Sequence, residues 1–129
     1  MVEYRDMRNQ VFFLNSDPVI VFSSIKMFDG TDPDFDDLSN FIVSIAKDDP
    51  ANTTLVTYDY SVEPDQFTLT NSTNRIDIQA DLDDLGTITK SYYFANLYLV
   101  DDDGYVTATQ TIRLMAKGSV SYGTSSSGS

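Results

Sequence analysis

The sequence predicts an all-β domain, a single antiparallel β-sandwich. Apolar residues recur at every second position in several short runs, which is the period of a strand buried on one face. Clusters of Asp, Asn, Gly and Pro separate those runs roughly every 8 to 12 residues, the turn spacing of a sandwich. No stretch carries a sustained apolar stripe of helical period.

Met1 to Gln10 sets two Arg, a Glu and an Asp around isolated Tyr4 and Met7, with neither alternation nor a helical stripe, and reads as an extended N-terminal arm, residues 1–10. The sandwich domain is expected over residues 11–122. Val11 to Leu14 and Val19 towards Ile25 read as two strands parted by Asn15-Ser16-Asp17-Pro18. Lys26 to Ser39, rich in Asp and holding Gly30 and Pro33, reads as a long loop. Phe41, Val43 and Ile45 then alternate with Ile42 and Ser44 in a third strand, which Asp48-Asp49-Pro50 ends.

Thr53 to Ser61 is β-branched and aromatic and reads as a strand. Gln66 to Leu69 is a short strand, Asn71 to Asn74 a turn, and Arg75 to Ala80 a strand with Ile76, Ile78 and Ala80 on one side. Asp81 can cap one helical turn reaching Leu85. The clearest element is a hairpin: Ser91 to Val100, then Asp101-Asp102-Asp103-Gly104, then Tyr105 to Leu114. An Asp-Gly turn between alternating apolar runs signals a hairpin because Gly accepts the positive φ that a tight turn demands. Gly118 to Tyr122 offers an edge strand, and residues 123–129 a flexible Gly/Ser/Thr tail. The total is about eight or nine short strands.

Composition bounds the chemistry. The chain has 129 residues, enough for one core, and 41% are hydrophobic, too many for a disordered chain. Neither His nor Cys occurs, which removes the commonest general base, the Ser-His-Asp and Cys-His arrangements, disulfides and thiolate metal sites. The scattered glycines form no phosphate-binding loop. Paired carboxylates are plentiful, but a small domain with no Trp has little from which to build a sugar cleft. No catalytic, cofactor-binding or metal-binding residue is assigned, and the chain reads as a non-enzyme. A formal charge of −12 repels nucleic acid and anionic membranes, so proteins are the expected partners.

Two features suggest ligands. Asp29, Asp32, Asp34, Asp36 and Asp37 supply oxygens of the kind calcium takes, with Asp101-Asp102-Asp103 a second cluster. Set on the EF-hand template from Asp32, position 6 is Asp37 rather than Gly and position 12 is Val43 rather than Glu, so solvated acidic loops are expected. Tyr92, Tyr93, Phe94, Tyr98, Tyr105 and Tyr122 could form an aromatic platform, but alternation sends about half of such residues to the core, and core packing is expected.

Four segments in order carry a family resemblance: Val19 to Phe28 with Asp29-Gly30, Phe41 to Ala46, Arg75 to Ala80 with Asp84-Leu85, and Tyr92 to Val100 with Asp103-Gly104-Tyr105-Val106. Together they resemble the N-terminal domains of phage baseplate upper proteins and related tail-attached modules. A sandwich of this size also resembles small capsid-decorating proteins, and immunoglobulin-like modules serve both locations. The resemblance implies an immunoglobulin-like structural protein of a tailed-phage virion, made in the host cytoplasm. It would bind tail, baseplate or major capsid proteins and copies of itself, through Met1 to Phe13 and Gly118 to Ser129. The alternative is a carbohydrate- or receptor-binding module with calcium-supported acidic loops.

Overall fold

A computed structural model describes residues 8–14, 16–48, 50–85 and 92–117. Most of the expected arm, the expected strand at Gly118 to Tyr122 and the tail over 123–129 lie outside them. Among the described residues, eight strands form: β1 (Arg8–Phe13), β2 (Val19–Phe22), β3 (Asn40–Lys47), β4 (Thr54–Asp59), β5 (Phe67–Thr70), β6 (Arg75–Gln79), β7 (Tyr92–Val100) and β8 (Val106–Lys117). They make two sheets, one ordered β1-β8-β7-β3-β4 and the other β2-β6-β5. The molecule is a β-sandwich.

Alternation builds the core. In β7, Tyr93, Ala95, Leu97 and Leu99 are buried while the residues between them face outward. Neighbouring β3 contributes Phe41, Val43 and Ile45, and β8 contributes Ala108, Ile112, Leu114 and Ala116. The smaller sheet answers with Ile20, Phe22, Ile76, Ile78 and Phe67. All belong to one hydrophobic cluster, which no disulfide reinforces. Among the described residues, Asp81 to Leu85 yields only a short 3₁₀ turn, Leu82–Leu85.

Three residues expected in the arm are strand instead. Strand β1 starts at Arg8, so Arg8, Asn9 and Gln10 belong to the sandwich, and this strand runs parallel to β8, from Arg8 opposite Ile112 to Phe13 opposite Lys117. Every other pairing is antiparallel. The physical reason lies in two side chains that face inward. Phe12 is buried beside Tyr93, with ring centroids 6.1 Å apart. Gln10 reaches across to the other sheet, its Nε2 donating to the Val19 carbonyl and its Oε1 accepting from the Val21 amide at 3.0 Å. One side-chain amide thus stands in for a neighbouring strand along the edge of β2, where exposed backbone groups would otherwise invite pairing.

Gln110 makes a similar bridge farther along β8. Its Nε2 donates to the Ser23 carbonyl at 2.9 Å, although its Oε1 is buried without a hydrogen-bond partner, which offsets part of the gain.

An aromatic relay braces one end of the sandwich. Phe35, Phe41, Tyr60 and Phe67 meet edge to face in sequence, with centroids 5.6, 5.3 and 5.5 Å apart. It links the loop before β3 to the first strand residue of β5, and so ties the two sheets together.

Two outcomes test this packing in urea denaturation. Gln10→Ala should cost about 1–2 kcal/mol through two lost hydrogen bonds, with an unchanged slope against denaturant. Phe41→Ala should cost about 3–5 kcal/mol, the range for emptying a buried aromatic site.

Candidate binding surface

The braced end of the sandwich carries the 23–39 loop and the β7–β8 turn. The loop is anchored by its apolar residues: Ile25 and Phe35 are buried, and the Ile25 amide donates to the Asn74 carbonyl at 3.1 Å. With these turned inward, the acidic residues are left at the surface. Each of three is engaged locally. Asp29 accepts from the Thr31 amide and hydroxyl at 3.0 and 2.6 Å, Asp32 pairs with Lys26, and Asp34 caps the turn at Phe35–Asp37 by accepting from the Asp36 amide at 3.1 Å. Among the described residues, no group of three or more acidic side chains converges on a common point. The loop is exposed and acidic, as expected, and two of its acids, Asp29 and Asp34, cap turns.

The two Asp-Gly sequences fold into the same turn. In the first, the Met27 amide donates to the Thr31 carbonyl and the Gly30 amide to the Met27 carbonyl, both at 2.9 Å. In the second, the Asp101 amide donates to the Tyr105 carbonyl at 2.9 Å and the Gly104 amide to the Asp101 carbonyl at 3.0 Å. Gly30 and Gly104 sit at φ +88° and +87°, where a side chain would be strained. Each is a three-residue loop closed by a left-handed glycine rather than a two-residue turn. Asp101 tightens the second by accepting from the Asp103 and Tyr105 amides, both at 2.9 Å.

These turns hold two aromatic rings in water. Phe28 occupies the first loop position of its turn and is 67% exposed; Tyr105 closes the other and is 71% exposed. Val106 beside it is also exposed. The turns are joined directly, the Phe28 amide donating to the Thr107 carbonyl at 2.9 Å. Ser39 adds a second tie through its hydroxyl, 2.6 Å from the Asp101 carbonyl. Sequence reasoning assigned neither Phe28 nor Val106 to a surface, although both flank the Asp-Gly pairs that it singled out.

The other candidate aromatics divide by alternation. Tyr93 alone among them is buried, and Tyr92, Phe94 and Tyr98 lie on the outer face of the larger sheet, correcting the expectation of core packing. There Arg113 stacks 3.8 Å above the centre of the Tyr92 ring. Tyr122 falls outside the described residues. Of the expected contact segments only 8–13 is described, and it is occupied within its own sheet.

A shallow cleft of about 300 Å³ is lined by Asn9, Gln10, Val21, Ser23 and Ile112, none of them ionisable. Tyr58 is fully buried, and its phenol is pushed above its ordinary value of 10.0, first by burial and also by Asp84. Its hydroxyl donates to Asp84 Oδ2 at 2.9 Å and accepts from the Asp81 amide at 3.1 Å, so it fastens β4 to the segment after β6. Asp59 is held below the usual carboxylate value near 3.8 by hydrogen bonds from Ser61 and Asn40.

No family model matches the sequence, and no curated protein sequence matches it. Among solved structures, CopC from Methylosinus trichosporium OB3b is similar over 87% of this chain and 84% of that one, with 8% identity and a TM-score of 0.45. A likeness that remote carries no functional argument.

Stability should therefore fall away at both ends of the pH scale. Asp59 has a depressed folded value, so its contribution is present above about 3.9 and is lost as pH falls through that folded value. Tyr58 has a raised folded value, so its contribution is present below about 10 and is lost as pH climbs towards it. In urea midpoints measured across pH, Asp59→Asn should flatten the acid limb and Tyr58→Phe the alkaline limb. An alkaline limb as steep in Tyr58→Phe as in the parent would contradict the assignment.

Proposed function

We propose that this chain is a non-enzymatic module that holds other protein chains, as a structural component of a tailed-phage virion on its tail, baseplate or capsid. One observation carries the binding reading: two aromatic side chains stand about two-thirds exposed on hydrogen-bonded turns that are tied to each other. Exposed rings on rigid supports are the anchors that protein interfaces use, because little side-chain and loop freedom remains to be lost on binding. The virion location rests on the resemblance of the Asp-Gly segments and the Tyr-rich strand to phage baseplate upper proteins.

We take the sandwich to be of the immunoglobulin-like type. Supporting that is the strand order, with β1 parallel beside β8, β7, β3 and β4 following it, and β2, β6 and β5 facing them. Fold alone does not choose a partner. Purified tail, baseplate and major capsid proteins, each immobilised in turn, test the reading. One of them should bind the chain, and Phe28→Ala/Tyr105→Ala should weaken that binding by about 30-fold or more, as expected for losing an anchor of ~2 kcal/mol. Its denaturation midpoint should stay close to the parent's, since both rings are exposed. Equal binding by parent and variant would overturn the assignment of this surface.

A further inference from the structure

We infer that the Phe28–Tyr105 end docks a basic protein segment: a large apolar side chain flanked by Lys or Arg. This rests on the protein-binding reading and adds the chemistry of the partner. The apolar centre is Phe28, Tyr105 and Val106, exposed by 67%, 71% and 42%. The Phe28 amide bond to the Thr107 carbonyl sets the first of them beside the strand that carries the other two, and exposed apolar residues brought together within a polar rim suit an interaction site.

The rim has one sign. Residues 23–39 and 100–107 together hold eight aspartates and one basic residue, Lys26. That lysine is already committed to Asp32. Eight negative charges less one positive leave these two segments with −7 of the chain's formal charge of −12. Two of these carboxylates are held by hydrogen bonds. Asp29 is held by Thr31, and Asp101 is held by the amides of Asp103 and Tyr105.

That distribution selects among occupants. A second copy of the chain would bring an equally acidic end against this one, and like charges juxtaposed at an interface cost several kcal/mol. Nucleic acid and anionic membranes are repelled in the same way. A basic segment gains on both counts: its apolar residue covers the rings, and its cations meet Asp29, Asp101, Asp102 and Asp103 at the rim. The rings supply hold and the acids supply steering, so the two contributions separate experimentally. Removing rings raises the dissociation rate at any ionic strength, whereas removing rim charge slows association mainly at low salt.

The test uses the full chain and a random-sequence displayed peptide library as probe, with counter-selection on the Phe28→Ala/Tyr105→Ala chain. Enriched peptides should combine an aromatic or large aliphatic residue with two or more Lys or Arg. They should bind Asp102→Lys/Asp103→Lys about tenfold more weakly at low salt, with the difference shrinking as salt is raised. Peptides enriched without basic residues, or indifferent to the charge reversal, would overturn this inference and leave the protein-binding reading standing. Failure of any peptide to prefer the parent over the ring-deleted chain would overturn both. Retention on a glycan array in that case would move the surface to sugar recognition.

Discussion

Two pleated faces packed against each other hold this molecule, and everything else is positioned by that contact. Strand β7 lies in the middle of the larger sheet, and its four inward residues are all buried. Across the interface Ile20, Phe22, Ile76 and Ile78 are fully covered. With no disulfide to close the chain, dispersion and the removal of apolar surface from water must outweigh the conformational entropy lost on folding. Because the side-chain period is two, a one-residue slip of any strand would turn its whole apolar set to solvent, so the same contact also fixes register.

Register in turn decides where the ends of the strands fall. Asn40 pairs with Val100, which brings the start of β3 to the end of β7 and sets the long acidic loop beside the hairpin turn. The edge-to-face relay from Phe35 to Phe67 stiffens this end from beneath. Two glycines with positive φ then let each turn close, and the Phe28 amide locks one turn to the strand that leaves the other. Exposed aromatics are costly to leave in water, and Phe28 and Tyr105 are both about two-thirds exposed.

The opposite problem, an unprotected sheet edge, is met with side-chain amides. Gln10 bonds the backbone of β2 from the neighbouring sheet, and Gln110 bonds the Ser23 carbonyl just beyond it. Gln110 shares the inward side of β8 with the buried Ala108, Ile112, Leu114 and Ala116, and Gln10 lies two residues before the buried Phe12 in β1. A polar residue at such a position is tolerable when it satisfies backbone groups that have no strand beside them.

Much of the architecture was legible in the one-dimensional pattern because it is local. Alternation marked Phe41, Val43, Ile45, Ile76 and Ile78 as buried, and Asp103-Gly104 marked the hairpin. What alternation cannot encode is which distant segment lies alongside. Arg8 to Gln10 has an unremarkable pattern, and only pairing with β8 extends the strand expected from Val11 back to Arg8 and makes it parallel. The 23–39 loop read as a solvated acidic loop, but that Asp29 and Asp34 cap turns while Ile25 and Phe35 anchor the loop could be seen only in the fold. Tyr92, Phe94 and Tyr98 became surface rather than core because Tyr93 took the inward side of β7. The sequence by itself determined the strand period, the turns and the acidic, cysteine-free chemistry, all of which depend on neighbours in the chain. The end that carries Phe28 and Tyr105 was decided by tertiary structure, since the two are far apart in sequence and are brought to the same end by the Phe28 bond to Thr107 and the pairing of strands.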